Sequence, residues 1–137
     1  MNKSLIENLY YEVWNKGNFK VLSNIISNNY VIQSDPGDSW EGKILNRIEY
    51  EQRVLYTRTA FPDIKFELHQ VVHEENFFAV RWSANGTQRG SLSGIPATNK
   101  KLHFNGQTFY EMEGNLLSGH WQVIDRLGFI EQLRDTK

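Results

Sequence analysis

The pattern of hydrophobic and polar positions divides the chain into two halves with different periods. In the first half, apolar residues recur at helical spacing, as at Leu5, Leu9 and Val13, and this spacing predicts an N-terminal helix. The further elements predicted in this half are a short helix over 19–26, a short strand over 30–33 and a helical stretch over 43–60. The first half is therefore expected to be mainly helical.

In the second half, apolar and polar residues alternate with a period of two. Ile64, Phe66 and Leu68 alternate with polar residues, which predicts a strand with one buried and one wet face. The same alternation predicts inner positions at Phe78, Val80, Trp82 and Ala84, at Leu102, Phe104, Tyr110 and Met112, and at Leu117, Trp121 and Val123. With tight turns expected at 74–76 and 113–115, the chain predicts one α+β domain over 1–137, with helices on one face of a mainly antiparallel sheet.

Composition and charge exclude several classes of function. The chain has no cysteine, which excludes thiol nucleophiles and Cys-ligated metals, and its formal net charge of −1 offers no basic excess for nucleic acid. Its four histidines show no zinc-type spacing, so no metal site is expected. No apolar run is long enough to span a membrane, and Glu7 and Glu12 interrupt any secretory signal. A cytoplasmic protein is the expectation.

Asp125 is the candidate catalytic residue of the sequence. It shares strand parity with Leu117, Trp121 and Val123, so its carboxylate is expected to point toward the apolar side. Desolvation raises the pKa of such a carboxyl group and suits it to general acid/base work near neutral pH. Two alternatives stay open: Asp125 caps the turn into 127–133, or it pairs with the neighbouring Arg126.

Two amides and four aromatic rings are expected on the same side as Asp125. By strand alternation, the side chain of Gln88 is expected on the same apolar face as Trp82, and that of Gln33 on the same face as Val31. The full set of candidate ligand-binding residues is Gln33, Gln88, Trp82, Phe104, Tyr110 and Trp121. These rings either form an ordinary core or line a cavity in which a few polar groups orient a small hydrophobic organic ligand.

A series of short motifs runs in order along nearly the whole chain. They are WNKGN at 14–18, AFPD at 60–63, AVRW at 79–82, GTQ at 86–88, GIPAT at 94–98 and GHW at 119–121, followed by Asp125 and the segment 127–133. In this order and spacing, the chain resembles the SnoaL-like polyketide cyclase (ester cyclase) family. That family has the nuclear transport factor 2-like fold, a cone of helices against a strongly curved sheet.

The resemblance implies an activity as well as a fold. Asp125 matches the aspartate that serves as acid/base in the cyclases, where an enolate closes a ring by aldol attack without a metal or organic cofactor. The resemblance also implies a homodimer. This chain carries Gln33 and Gln88 where relatives often have His, and an amide does not exchange protons near neutral pH. Besides the enzyme, a non-catalytic binding domain for a small apolar or aromatic ligand and a protein-interaction module remain open.

Overall fold

A six-stranded, open sheet forms the frame of the protein in a computed structural model that describes residues 3–134. The strands are β1 (Ile26–Ser34), β2 (Ile44–Leu45), β3 (Lys65–Glu74), β4 (Phe77–Thr87), β5 (Lys101–Glu113) and β6 (Leu116–Ile124). Their order across the sheet is β2-β1-β6-β5-β4-β3, and all neighbours are antiparallel except β1 and β6. The prediction of a mainly antiparallel sheet is confirmed.

Within residues 3–134, three α-helices, one π-helical segment and one 3₁₀ helix accompany the sheet. They are α1 (Lys3–Asn8), which continues into a π-helical segment (Leu9–Trp14), a 3₁₀ helix (Phe19–Asn24), α2 (Arg47–Ala60) and α3 (Arg126–Arg134). A capping box starts α2, because Asn46 and Glu49 each bind the other's backbone N–H. Among residues 3–134, no helix has the length and apolarity needed to cross a membrane.

The predicted helices of the first half are confirmed in part. Residues 19–24 form one short 3₁₀ helix, and β1 begins at Ile26, earlier than the predicted strand at 30–33. The stretch over 43–60 opens with the two residues of β2, and only Arg47–Ala60 is helical. The predicted turns are correct, since Glu75-Asn76 and Gly114-Asn115 join their strands directly.

The core lies between the helices and one face of the sheet, which we call the inner face. Phe78, Val80 and Trp82 of β4 are buried there, as their alternation predicts. Tyr10 of the π-helical segment and Tyr50 of α2 pack over this face and are also buried. The α+β prediction, with helices on one face of the sheet, is confirmed.

Two β-bulges reverse the alternation that the sequence predicts for β6 and β1. In β6, Leu117 pairs with Met112 and Gly119 with Glu111, so Ser118 is an extra residue. Leu117 therefore faces inward, but beyond the bulge the inner positions are His120 and Gln122. The predicted inner positions at Trp121, Val123 and Asp125 are wrong, because these three residues are exposed on the opposite, outer face.

The second bulge lies where β1 runs beside β6. Ile32 pairs with His120 and Ser34 with Trp121, so Gln33 is the extra residue of β1 and is exposed. The next residue after the strand, Asp35, then falls on the inner face and is fully buried. One carboxylate, just beyond the end of β1, and one imidazole, in β6, thus enter the interior next to each other.

Candidate active site

A cavity with a free volume of about 140 Å³ lies between the inner face of the sheet and the helices. Aromatic rings form one large part of its wall: Tyr10, Trp14, Phe61, Phe66, Trp82, Phe104, Tyr110 and Phe129. Polar side chains gather at one end, where the wall is formed by His120, Gln122, Arg53, Asp38 and Arg126. An apolar chamber with a few convergent polar groups is the usual form of a small-molecule site.

Asp35 is the centre of the polar end. Its Oδ2 accepts hydrogen bonds from Arg53 Nη2 at 3.2 Å, His120 Nε2 at 3.1 Å and Gln122 Nε2 at 3.0 Å. Arg53 also donates to Asp38 Oδ2 at 3.2 Å, so one guanidinium joins two carboxylates. The carboxylate of Asp35 is buried, and a buried carboxylate persists only where cations and donors surround it in this way.

The imidazole of His120 is held in one tautomer by its two neighbours. A carboxylate only accepts, so Nε2 carries the proton that is donated to Asp35, and Nδ1 accepts from the hydroxyl of Tyr30 at 2.7 Å. Burial lowers the pKa of His120 below its usual value, although the hydrogen bond to Asp35 opposes this effect. His120 is therefore a neutral imidazole near neutral pH, held in one orientation.

A chain of hydrogen bonds fixes Gln122 against Asp35. The indole Nε1 of Trp82 donates to Thr108 Oγ1 at 2.9 Å, and this hydroxyl donates to Gln122 Oε1 at 2.6 Å. The amide of Gln122 is thereby oriented so that its nitrogen donates to Asp35. The aromatic wall and the charged end of the cavity belong to one connected network.

Two tyrosine hydroxyls meet in the cavity wall. The hydroxyl oxygens of Tyr10 and Tyr110 lie 2.8 Å apart, and both side chains are buried. Burial is the main cause that raises the pKa of each phenol above its usual value, so both hydroxyls stay protonated. The pair has two protons and one mutual hydrogen bond, and the Thr108 side chain is a second hydrogen-bond partner of Tyr10.

The mouth of the cavity is covered by three separate segments. Trp40, from the loop between β1 and β2, packs edge-on against Tyr56 of α2 with ring centroids 5.4 Å apart. The hydroxyl of Tyr56 accepts from the backbone N–H of Ser93 at 2.7 Å, which ties the loop after β4 to the same place. Arg126 lies across the polar end, with its Nη2 3.8 Å from Asp35 Oδ1.

Three of the predicted ligand-binding residues line this cavity, namely Trp82, Phe104 and Tyr110. Gln88 is fully buried, but it lies outside the cavity wall. Its amide nitrogen donates to the carbonyls of Ile95 and Pro96, each at 3.2 Å, and its oxygen accepts from Thr98 Oγ1 at 2.7 Å. Gln88 therefore anchors the loop after β4.

The other predicted site residues lie on the outer side of the sheet. Oδ1 of Asp125 accepts from the backbone N–H of Gly128 at 3.0 Å and caps α3, which is the alternative that the sequence left open. Trp121 is 37% exposed and packs against Phe109, and Gln33 is exposed. The predicted inward orientation of these three residues is wrong, because each bulge shifts the alternation by one residue.

The sequence interpretation missed Asp35, His120 and Arg53. Asp35-Pro36-Gly37 has the composition of a turn, and simple alternation from Leu117 places His120 on the polar face of its strand. One signal was available in Gly119, since glycine inside a strand often marks a bulge or a close backbone approach. A Cβ at Gly119 would lie 2.6 Å from the carbonyl oxygen of Val31.

Over residues 3–134, no three His, Asp or Glu side chains are grouped to hold a metal ion.

A curved sheet with helices around an interior cavity is the cone of the nuclear transport factor 2-like fold. Solved structures of similar proteins share this architecture. A candidate polyketide cyclase from Acidithiobacillus ferrooxidans is 36% identical, with a TM-score of 0.88 and coverage of 96% of this chain and 93% of that one. IdmH, a candidate polyketide cyclase from Streptomyces antibioticus, is 24% identical, with a TM-score of 0.80 over 96% and 97% of the two chains. AclR, a candidate hydroxylase from Streptomyces galilaeus, is 19% identical, with a TM-score of 0.78 over 96% and 94%.

The family assignment follows from the sequence as well. The SnoaL-like polyketide cyclase family profile matches residues 4–133, so the chain belongs to this family. Among curated protein sequences, none matches the chain. The resemblance and the fold that the motifs predict are therefore confirmed.

Proposed function

We propose that the protein is a cofactor-independent acid/base enzyme that acts on a small hydrophobic carbonyl compound in the interior cavity. The observation that carries the proposal is the pair of His120 and Asp35 at the polar end of an aromatic chamber. A neutral, oriented imidazole backed by a carboxylate is the arrangement that general-base catalysis uses. The names of the similar structures, candidate cyclases above all, agree with this class of reaction.

The first step is removal of a proton from the carbon next to the carbonyl group of the substrate. The Tyr30 hydroxyl, which donates to His120 Nδ1 in the free protein, first releases this nitrogen. The proton then passes to Nδ1, and the electron pair of the C–H bond forms an enolate. Asp35 stabilises the imidazolium through Nε2–H and is the positioning residue of the pair. Arg53 neutralises Asp35 throughout.

The enolate oxygen needs donors that are already in place. A hydroxyl of the Tyr10–Tyr110 pair, which lines the cavity, supplies one such donor to the enolate oxygen. The enolate carbon then attacks a second carbonyl of the same molecule, and the new alkoxide takes the proton back from His120. The ring closes without net gain or loss of protons.

A non-catalytic binding domain is the second candidate function. The observation that favours it is that both ring nitrogens of His120 already have partners within the protein, Asp35 and Tyr30. Such an imidazole also serves as a structural group in a ligand cavity.

Homodimer formation and a cytoplasmic location remain predictions; a dimer contact through the outer face would cover Phe109 and Trp121.

The two functions differ in whether the protein catalyses proton exchange. We would incubate acetophenone with the protein in heavy water and follow loss of the methyl signal by proton NMR. We expect exchange that falls about 100-fold or more in His120→Gln, because general acid/base groups contribute at least that much. Asp125→Asn is the matched control on the outer face and keeps the wild-type rate.

Two results would contradict the enzyme. If the wild-type protein binds acetophenone but exchanges its methyl protons no faster than imidazole buffer of equal concentration does, the protein is a binding domain. If His120→Gln exchanges at the wild-type rate, another group is the base.

A further inference from the structure

The free volume of the cavity is small compared with typical ligand sites. It is about 140 Å³, whereas pockets for drug-sized ligands start near roughly 300 Å³. An apolar cavity of about 150 Å³ in another protein holds one benzene molecule. The space between these walls therefore matches a single ring with a short polar substituent.

The walls differ in how readily they can move. Trp82 and Tyr110 belong to the central strands β4 and β5, which pair along eleven successive residues, so the sheet side is rigid. The cover of the mouth is less firmly held, and two of its groups are Trp40, which is half-buried on a loop, and Tyr56, which is 39% exposed on α2. These two rings hold each other by one edge-on contact.

We propose that the cavity selects single-ring carbonyl compounds and that the Trp40–Tyr56 pair is the wall that sets this size limit. The proposal builds on the site of the proposed function but concerns binding, not turnover. A second fused ring extends from the chamber against Trp40, since the opposite wall is the sheet. Trp40 is thus a specificity-determining residue whose removal opens the chamber toward the loop over 36–43.

The experiment compares three acetyl compounds of increasing size by isothermal titration calorimetry. The probes are acetophenone, acetylnaphthalene and acetylanthracene, which share one carbonyl group and carry one, two and three fused rings. The proteins are wild type, Trp40→Ala and Trp121→Ala, the last a matched loss of an indole from the outer face. If Trp40→Ala fails to fold by circular dichroism, Tyr56→Ala removes the other half of the same contact.

We expect wild type to bind acetophenone about tenfold or more tightly than acetylnaphthalene, a typical discrimination by pocket size. In Trp40→Ala this preference is lost or reversed, and in Trp121→Ala it is unchanged. The proposal is overturned if wild type prefers the larger ketones, if it binds none of the three, or if Trp121→Ala changes the preference as much as Trp40→Ala. Binding without proton exchange would overturn the proposed catalysis alone, so the two failures are distinguishable.

Discussion

Replacing Asp35 with alanine should destabilise the protein more than any other single carboxylate change at the site. Asp35 is fully buried, and one of its oxygens accepts three hydrogen bonds, from Arg53, His120 and Gln122. The variant leaves the N–H groups of His120 and Gln122 without their acceptor. Arg53 keeps one carboxylate partner, Asp38.

The magnitude follows from these partners. Removing one member of a buried ion pair costs about 3–5 kcal/mol, because the remaining charge stays desolvated. Since Asp38 still pairs with Arg53, the charge contribution should lie at the low end of that range. Each orphaned donor adds about 1 kcal/mol or more. We therefore expect a loss of about 5 kcal/mol, which equals the whole stability of a domain at the lower end of the typical range of about 5–15 kcal/mol.

Urea denaturation followed by far-ultraviolet circular dichroism measures this loss. The midpoint should fall while the slope with urea stays that of wild type, because the surface exposed on unfolding is unchanged. Asp125→Ala is the control: it removes only an exposed cap of α3 and should cost about 1 kcal/mol or less. A loss below about 1 kcal/mol for Asp35→Ala, or an equal loss in both variants, would refute the assignment of Asp35 as the centre of the site.

Three further predictions concern other parts of the structure. Because the pKa of His120 is lower in the native state, the unfolded chain takes up a proton at a higher pH than the native protein does. Stability should therefore fall as the pH drops below about 6.5, and His120→Gln should flatten this dependence in denaturation curves measured across pH. Gly106→Ala should cost about 1–3 kcal/mol in the same assay, because its Cβ would lie 2.6 Å from the Trp82 ring and 2.9 Å from the carbonyl oxygen of Val123, and no loss would contradict this close packing. Gln88→Ala should speed protease cleavage within 91–100, since the loop loses three side-chain hydrogen bonds, and an unchanged digestion pattern would contradict its anchoring role.

The strands with unbroken alternation could be predicted from the sequence. β4 and β5 pair without a register shift from one end to the other, so the parity of Trp82, Phe104 and Tyr110 gives their true side of the sheet. Local alternation is sufficient here because each residue has one partner across the strand pair. The sequence also predicted both tight turns that flank these strands.

The polar end of the cavity could not be predicted because it depends on pairing between distant segments. The extra residues Ser118 and Gln33 are defined only by the register with the neighbouring strands. Each bulge moves the residues beyond it to the other face, which brought His120 and Asp35 inward and sent Asp125 outward. Arg53 was missed because its reason for burial is the carboxylate that the bulge in β1 provides.

The most direct measurement for the proposed acid/base centre is the protonation of the two ring nitrogens of His120. Long-range proton–nitrogen NMR correlations read the tautomer, and His120→Gln assigns the signals. We predict a neutral ring near neutral pH with the proton on Nε2, and a shift of the Nδ1 signal when acetophenone displaces the Tyr30 hydrogen bond. A doubly protonated ring, a proton on Nδ1, or no response of His120 to bound acetophenone would contradict the assignment of this imidazole as the base.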